Sequence, residues 1–197
     1  MDEPKTPWQR FAGAGMYPVE YAGWLLNPAR WLIAPPGRIA RRLHLAPTDR
    51  VLEAGCGPGW FSPTVARMLP RGHITLFDAQ PGMLELAAGR MRAASLTNFG
   101  TVNGFAESLP FATGTFDVVF MVTVLGEVPD RAAAVEETAR VLRPGGIFSA
   151  TEAAGDPDRV REGELNALAA QAGLEAAGRW PGWLISTFNY RKPQKAP

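Results

Sequence analysis

Gly55, Gly57 and Gly59 stand at alternate positions, separated by Cys56 and Pro58, directly after the apolar run Val51-Leu52-Glu53-Ala54. Glycines so spaced let a chain leaving a buried strand turn sharply and present bare backbone to a ligand above the sheet edge. A tight turn without a ligand is the simpler reading, but it seldom needs three glycines. A dinucleotide site spaces its glycines G-x-G-x-x-G, with the pyrophosphate on the next helix N-terminus. Here the third glycine comes one residue early and Trp60 occupies the glycine's place, which disfavours NAD. Asp78 is the second chemical group. A carboxylate ending the second strand can accept both hydroxyls of a ribose, and it discriminates because a ligand lacking them leaves it unpaired. Its alternative role is to cap the helix that follows.

The elements that must hold these groups follow from position 51 onward, where short apolar runs alternate with helical patterns, the signature of βαβ units and a parallel sheet. After strand 51–54, Ser62 as N-cap and Pro63 as first residue open a helix to about Leu69. His73 to Phe77 is strand two. Pro81 opens a helix with Met83, Leu84, Leu86, Ala87 and Met91 at helical spacing, and Asn98 to Asn103 is strand three. Phe116 to Val122 is almost wholly apolar, as a central parallel strand buried on both faces must be. Asp130 caps a helix to Leu142, the turn Arg143-Pro144-Gly145-Gly146 ends it, and Ile147 to Thr151 is strand five. A helix over about 158–172 follows. Leu174 to Trp180 and Leu184 to Arg191 are joined by only four residues, which dictates an antiparallel hairpin.

Residues 1–45 read differently, as an N-terminal helical extension or lid broken by prolines, while residues 46–197 form the main domain. The extension sets Trp31, Leu32, Ile33, Ile39 and Leu43 against Arg30, Arg38, Arg41 and Arg42. Such a stripe is ordinarily a solvated face; attraction to an acidic substrate or an anionic membrane is its less common use.

Composition narrows the function classes. The 197-residue chain suffices for one ordinary core, has a formal net charge of +1, and contains one cysteine and two histidines. A single thiol makes no internal disulfide, and no metal-ligand cluster is present in the sequence. The charge supplies no broad basic field for nucleic acid, so a small-molecule substrate is favoured. No apolar run reaches the roughly 20 residues that cross a bilayer, and the acidic, proline-broken start lacks the order of a secretory signal. Cytoplasm is the expected location.

Taken with Val51-Leu52-Glu53-Ala54, the glycine loop resembles motif I of class I S-adenosylmethionine-dependent methyltransferases, especially the type 11 group that includes quinone-biosynthesis C-methyltransferases and other small-molecule enzymes. Three further stretches resemble that family in order: Leu76-Phe77-Asp78-Ala79-Gln80-Pro81-Gly82-Met83-Leu84, Phe105-Ala106-Glu107-Ser108-Leu109-Pro110-Phe111 before Phe116-Asp117-Val118-Val119, and Arg140-Val141-Leu142-Arg143-Pro144-Gly145-Gly146. The resemblance runs from about Arg50 to Thr151. It implies an α/β, doubly wound, mostly parallel seven-stranded sheet of order 3-2-1-4-5-7-6, with the last strand antiparallel and helices on both faces. It also implies S-adenosyl-L-methionine as cofactor, held by Glu53, Gly55, Cys56, Gly57, Gly59, Asp78, Ala79, Met83, Phe105, Ala106, Glu107 and Val122.

Two departures matter. Family members place an aspartate on the adenine amino group where this chain has Phe105, so adenine recognition here falls to backbone near Ala106, to Glu107, or to packing on Phe105. After strand four, relatives often read L-H-H-V-x-D, whereas this chain reads Leu125-Gly126-Glu127-Val128-Pro129-Asp130. Glu127 is thus a candidate base or substrate orienter, needed only if the attacking atom must lose a proton. Tyr21, with Tyr17 and Trp24, lies where relatives place a substrate lid and is the second candidate catalytic group. Cys56 reads as a packing residue. The expected substrate is a small apolar or aromatic molecule; the competing readings are a binding-only protein and, less favoured, a nicotinamide oxidoreductase. DNA adenine methylation is disfavoured because Met121-Val122-Thr123-Val124 lacks the Asn/Asp-Pro-Pro-aromatic motif. The oligomeric state is not specified by the sequence.

Overall fold

The computed structural model describes residues 19, 22–26 and 34–194. Tyr17, Tyr21, Arg30 and Trp31 lie outside the described residues, as does the side chain of Trp24. In chain order the elements are α1 (Ala22–Leu25), α2 (Pro36–Arg42), β1 (Arg50–Ala54), α3 (Ser62–Arg67), β2 (His73–Asp78), α4 (Pro81–Ala93), β3 (Phe99–Asn103), β4 (Phe116–Val122), a 3-10 turn (Leu125–Glu127), α5 (Arg131–Val141), β5 (Leu142–Ala153), α6 (Glu162–Gln171), β6 (Glu175–Trp180) and β7 (Ile185–Arg191).

The seven strands form one sheet of order β3-β2-β1-β4-β5-β7-β6. β1 through β5 are parallel, and β7 runs antiparallel to both its neighbours. This is the order and the reversed strand that the resemblance implies. The register brings functional positions level, because Ala54 pairs with Phe77, Asp78 with Asn103 and Val122 with Thr151. Four strands therefore end together, and their loops surround one space.

Each sheet face buries its own apolar cluster. On one side α3 and α4, with Leu69 just beyond α3, contribute Val65, Leu69, Leu84, Ala87 and Met91 over Val51, Ile74 and Phe120. On the other, α5 and α6 pack Val135, Ala139, Leu165 and Ala169 over Leu52, Val119, Phe148 and Phe188. β4 is buried along nearly its whole length because helices cover both faces.

Several local expectations need correction. Ser62 does not cap α3; Phe61 holds the N-cap position, and the Ser62 hydroxyl turns inward to donate to Glu53 Oε2 at 2.5 Å. Leu86 was placed by its spacing with the apolar stripe of α4, yet it is 41% exposed. The segment Arg143–Gly146 is a wide bulge within β5 instead of a turn before it. Phe116 pairs with Leu142 and Val118 with Ile147, so the intervening residues loop out, tied by an ion pair between Arg143 and Asp117. α6 starts at Glu162, later than its sequence pattern suggests.

α2 packs against the sheet. Ile39, Ala40 and Leu43 are buried in the same cluster as α3. Arg42 Nη1 donates to Thr187 Oγ1 at 2.8 Å, and Asn189 Nδ2 donates to the Arg42 carbonyl at 2.7 Å. A helix N-terminal to β1 thus fills the layer beside β7 and completes the cover over that half of the sheet.

Candidate functional site

The glycine loop earns each of its three glycines differently. Gly55, Gly57 and Gly59 all have positive φ, at 72°, 51° and 78°. At Gly55 an added Cβ would collide with Val124, which leans over from the end of β4. At Gly59 it would fall 2.9 Å from Ala87 Cα, so this glycine admits α4 and does not line the cavity. At Gly57 a Cβ would meet nothing within 4 Å. There the missing side chain leaves space for a ligand.

The loop is pinned from below and from the side. Gly55 N–H and Cys56 N–H both donate to the Phe77 carbonyl, at 2.8 and 3.0 Å. Gly57 N–H donates to Asp78 Oδ2 at 2.8 Å, and Gln80 N–H to Asp78 Oδ1 at 2.9 Å. Asp78 therefore fixes the loop and the approach to α4 at once. Burial raises its pKa, while the N–H donors from Gln80, Gly57 and Ala79 oppose that rise. Such a carboxylate accepts two donors already and retains lone pairs toward the cavity.

Glu53 lies beneath. Burial pushes its pKa up to about 8, against the Ser62 hydroxyl that favours its charge and together with the repulsion of Asp78. At neutral pH it is chiefly the neutral acid, able to donate as well as accept. The thiol of Cys56 is also raised well above its usual value, first by burial and then by Glu53 and Asp78. A protonated, buried thiol is a poor nucleophile, in keeping with a packing role.

These groups border a cavity of about 310 Å³. Among the residues named from sequence, Glu53, Gly55, Cys56, Gly57, Asp78, Ala79, Met83, Phe105, Ala106, Glu107, Val122 and Glu127 all line it. Gly59 stands outside, and Tyr21 lies outside the described residues. Phe105 is 61% exposed at the rim, where its ring is available to a flat partner. Glu127 ends the 3-10 turn that follows β4. Val19, within the extension, sits over the first turn of α4 against Gly82.

The wall includes residues that sequence reasoning missed. Trp60 and Phe61 close one side, and Thr123 and Val124 another. Thr123 has φ 53°, a left-handed conformation that a β-branched residue rarely adopts. Its N–H bonds to the Thr151 carbonyl at 2.8 Å, and the strained bend carries Val124 onto Gly55. No residue type in Met121-Val122-Thr123-Val124 announces such a bend. Trp60 was visible, but only as an argument against NAD.

A buried carboxylate beside an open backbone cradle suits a ribose-bearing ligand, and the apolar walls suit the rest of S-adenosylmethionine. Comparison with known proteins agrees. Residues 51–146 match the family described as a methyltransferase domain. The chain is 33% identical over 116 residues to a demethylmenaquinone methyltransferase of Staphylococcus aureus, which covers 58% of this chain and 47% of that protein. It therefore spans about half the length of the curated relatives it matches. A S-adenosylmethionine-dependent methyltransferase from Aquifex aeolicus superposes with a TM-score of 0.84 at 19% identity, covering 90% of this chain and 100% of the other. The cyclase SpnF superposes with a TM-score of 0.73 at 22% identity, over 81% and 80% of the two chains. The fold is that of class I S-adenosylmethionine-dependent methyltransferases, and just under half of the chain matches the methyltransferase-domain family. The stretch that resembles that family runs from Val51 to Gly146.

Proposed function

We propose that this protein transfers a methyl group to a small apolar or aromatic acceptor, with Asp78 and the 55–57 backbone holding the adenosyl moiety and Glu127 facing the acceptor. The observation that carries the reading is the joining of Glu127 to the Asp78–Gly57 cradle in one cavity whose remaining walls are mainly apolar. Bound S-adenosylmethionine supplies a methyl already activated on a sulfonium. The protein's task is then to align and desolvate the acceptor, and proximity of that kind lowers a barrier by roughly 7–11 kcal/mol. Trp60, Phe61, Val124 and Val128 exclude water, and Glu127 accepts the proton an acidic carbon or hydroxyl must release. The quinone acceptor named for the Staphylococcus relative supports an aromatic substrate without identifying it.

The likeness to a cyclase shows that this fold also houses other reactions. Phe105 in place of the family aspartate gives a binding-only reading its one specific support. Incubation with methyl-labelled S-adenosylmethionine and an organic-soluble metabolite extract separates the two. Label in an organic-soluble product supports transfer. Calorimetric binding of S-adenosylhomocysteine with no labelled product would leave only the binding reading.

A further inference from the structure

We infer that the protein docks on an anionic lipid bilayer through the tip of the β6–β7 hairpin and the arginines of α2, with the cavity end of the sheet toward the lipid. The hairpin supplies the first observation. Ala153, at the end of β5, pairs with Ile185, at the start of β7, so the turn 181–184 lies beyond the carboxyl end of β5. That is the end at which the loops after β1 to β4 form the cavity. Trp183 on this turn is 90% exposed and Leu184 is 42% exposed. The turn is nevertheless fixed: Gly182 N–H donates to Ser186 Oγ at 3.2 Å, and Ala154 N–H to the Leu184 carbonyl at 2.9 Å. Phe105 lies at the same end, so three of the four large exposed hydrophobics share it. Scattered apolar residues mean little, but a shared edge marks an interaction surface.

Charge gives the second observation. The net charge of +1 conceals two helical layers of opposite sign. α2, α3 and α4 carry six arginines, at 38, 41, 42, 67, 90 and 92, against one carboxylate, Glu85. α5 and α6 carry Arg131 and Arg140 against Glu136, Glu137, Glu162 and Glu164. Every ion pair among the described residues belongs to the second layer or to the β4–β5 and β6 segments; none includes an arginine of the first. Arg38 and Arg41 are exposed.

The two features adjoin. Arg42 donates to Thr187 of β7 and holds its guanidinium 5.9 Å from the Trp180 ring, at the foot of the hairpin turn. The β5–α6 loop contributes Asp156 and Asp158 but also Arg159 and Arg161, which cancel. An anionic bilayer satisfies both features, since its surface attracts arginine and its interfacial layer accepts tryptophan and leucine. Nucleic acid would pair the arginines and leave Trp183 in water. No helix among the described residues is long and apolar enough to cross a membrane, so the contact is peripheral. The further consequence, that an apolar acceptor enters from the lipid, rests on the proposed methyl transfer; the docking itself does not.

Flotation of the full chain with phosphatidylcholine vesicles, with and without phosphatidylglycerol, tests the inference. The protein should float with the anionic vesicles only, and raised salt should release it. Trp183→Ser, and separately the pair Arg38→Glu and Arg41→Glu, should each weaken that partition roughly tenfold or more. Absence from both vesicle types, partition that neither variant alters, or retention by a duplex DNA fragment without vesicle binding would overturn it. Calorimetry with S-adenosylhomocysteine on the same samples keeps the two proposals apart. Lost vesicle binding with intact ligand binding defeats docking alone, and the reverse defeats the cofactor site alone.

Discussion

Asp78 joins three jobs in one carboxylate: it holds Gly57, it holds Gln80, and it faces the cavity. Replacing it by Asn keeps the shape but removes the charge and one acceptor, so affinity for S-adenosylhomocysteine should fall by about 1–3 kcal/mol, or roughly 5- to 150-fold. An unchanged dissociation constant by calorimetry would remove Asp78 from the ligand. Glu127 separates from Asp78 by the opposite pattern. Glu127→Gln should lower turnover on an accepted substrate by about a hundredfold or more while S-adenosylhomocysteine binds as before, the loss typical of a removed general base. Equal turnover would leave Glu127 as an orienting or solvent-facing acid. Asp78 stood out in the sequence because a carboxylate closing a strand near a glycine loop is a strong local signal, whereas Glu127 stood out only through the departure from the L-H-H-V-x-D reading of the resemblance. Thr123 was not, since its φ is imposed by the Thr151 carbonyl above it and not by its own type.

At the scale of elements, the glycine loop is a joint between β1 and α4 as much as a cradle. Gly59→Ala should lower stability by about 1–3 kcal/mol, because the new methyl meets backbone at Ala87 and the positive φ adds strain. Gly57→Ala carries the strain without the clash, and its methyl enters the cavity. Its loss of stability should be the smaller and its loss of S-adenosylhomocysteine affinity the larger. Thermal melts with and without that ligand check the contrast, and equal effects at the two positions would contradict this division of labour. Alternating glycines made the loop readable as a site, but spacing could not separate the packing glycine from the ligand-facing one. Strand order, the reversed strand and the N-cap Asp130 were likewise legible, the last confirmed by its bond from Ala133 N–H at 3.0 Å. Where α2 packs was not legible, because prolines break the pattern around it and its position depends on long-range contacts with β7.

Over the whole molecule, two buried carboxyls set a pH dependence that no single element reveals. Glu53 under the glycine loop and Glu152 near the end of β5 are each pushed up to about 8, chiefly by burial. Near Glu152, the Val160 N–H at 3.4 Å and the charges of Arg131 and Arg159 oppose the rise, while Asp156 adds to it. In the unfolded chain both lose their protons near pH 4.5. Between pH 4.5 and about 8 the folded protein therefore binds more protons than the unfolded one, and stability falls as pH rises. Each group contributes at most about 1.4 kcal/mol per pH unit, and the slope flattens once both have ionised in the folded state. Glu137 and Glu162, lowered by their arginines, act with the opposite sign but below the ordinary carboxylate range, outside this window; His73, lowered by burial and by Arg50, opposes the decline just below pH 6.5 as one group against two. Urea midpoints of the ligand-free protein should thus decline from pH 5.5 to 8. Glu53→Gln and Glu152→Gln should each flatten that decline, because a neutral amide carries no ionisation to suppress. A flat profile in the unmodified protein, or an unaltered slope in both variants, would mean that these carboxyls ionise freely in the fold and that solvent reaches them.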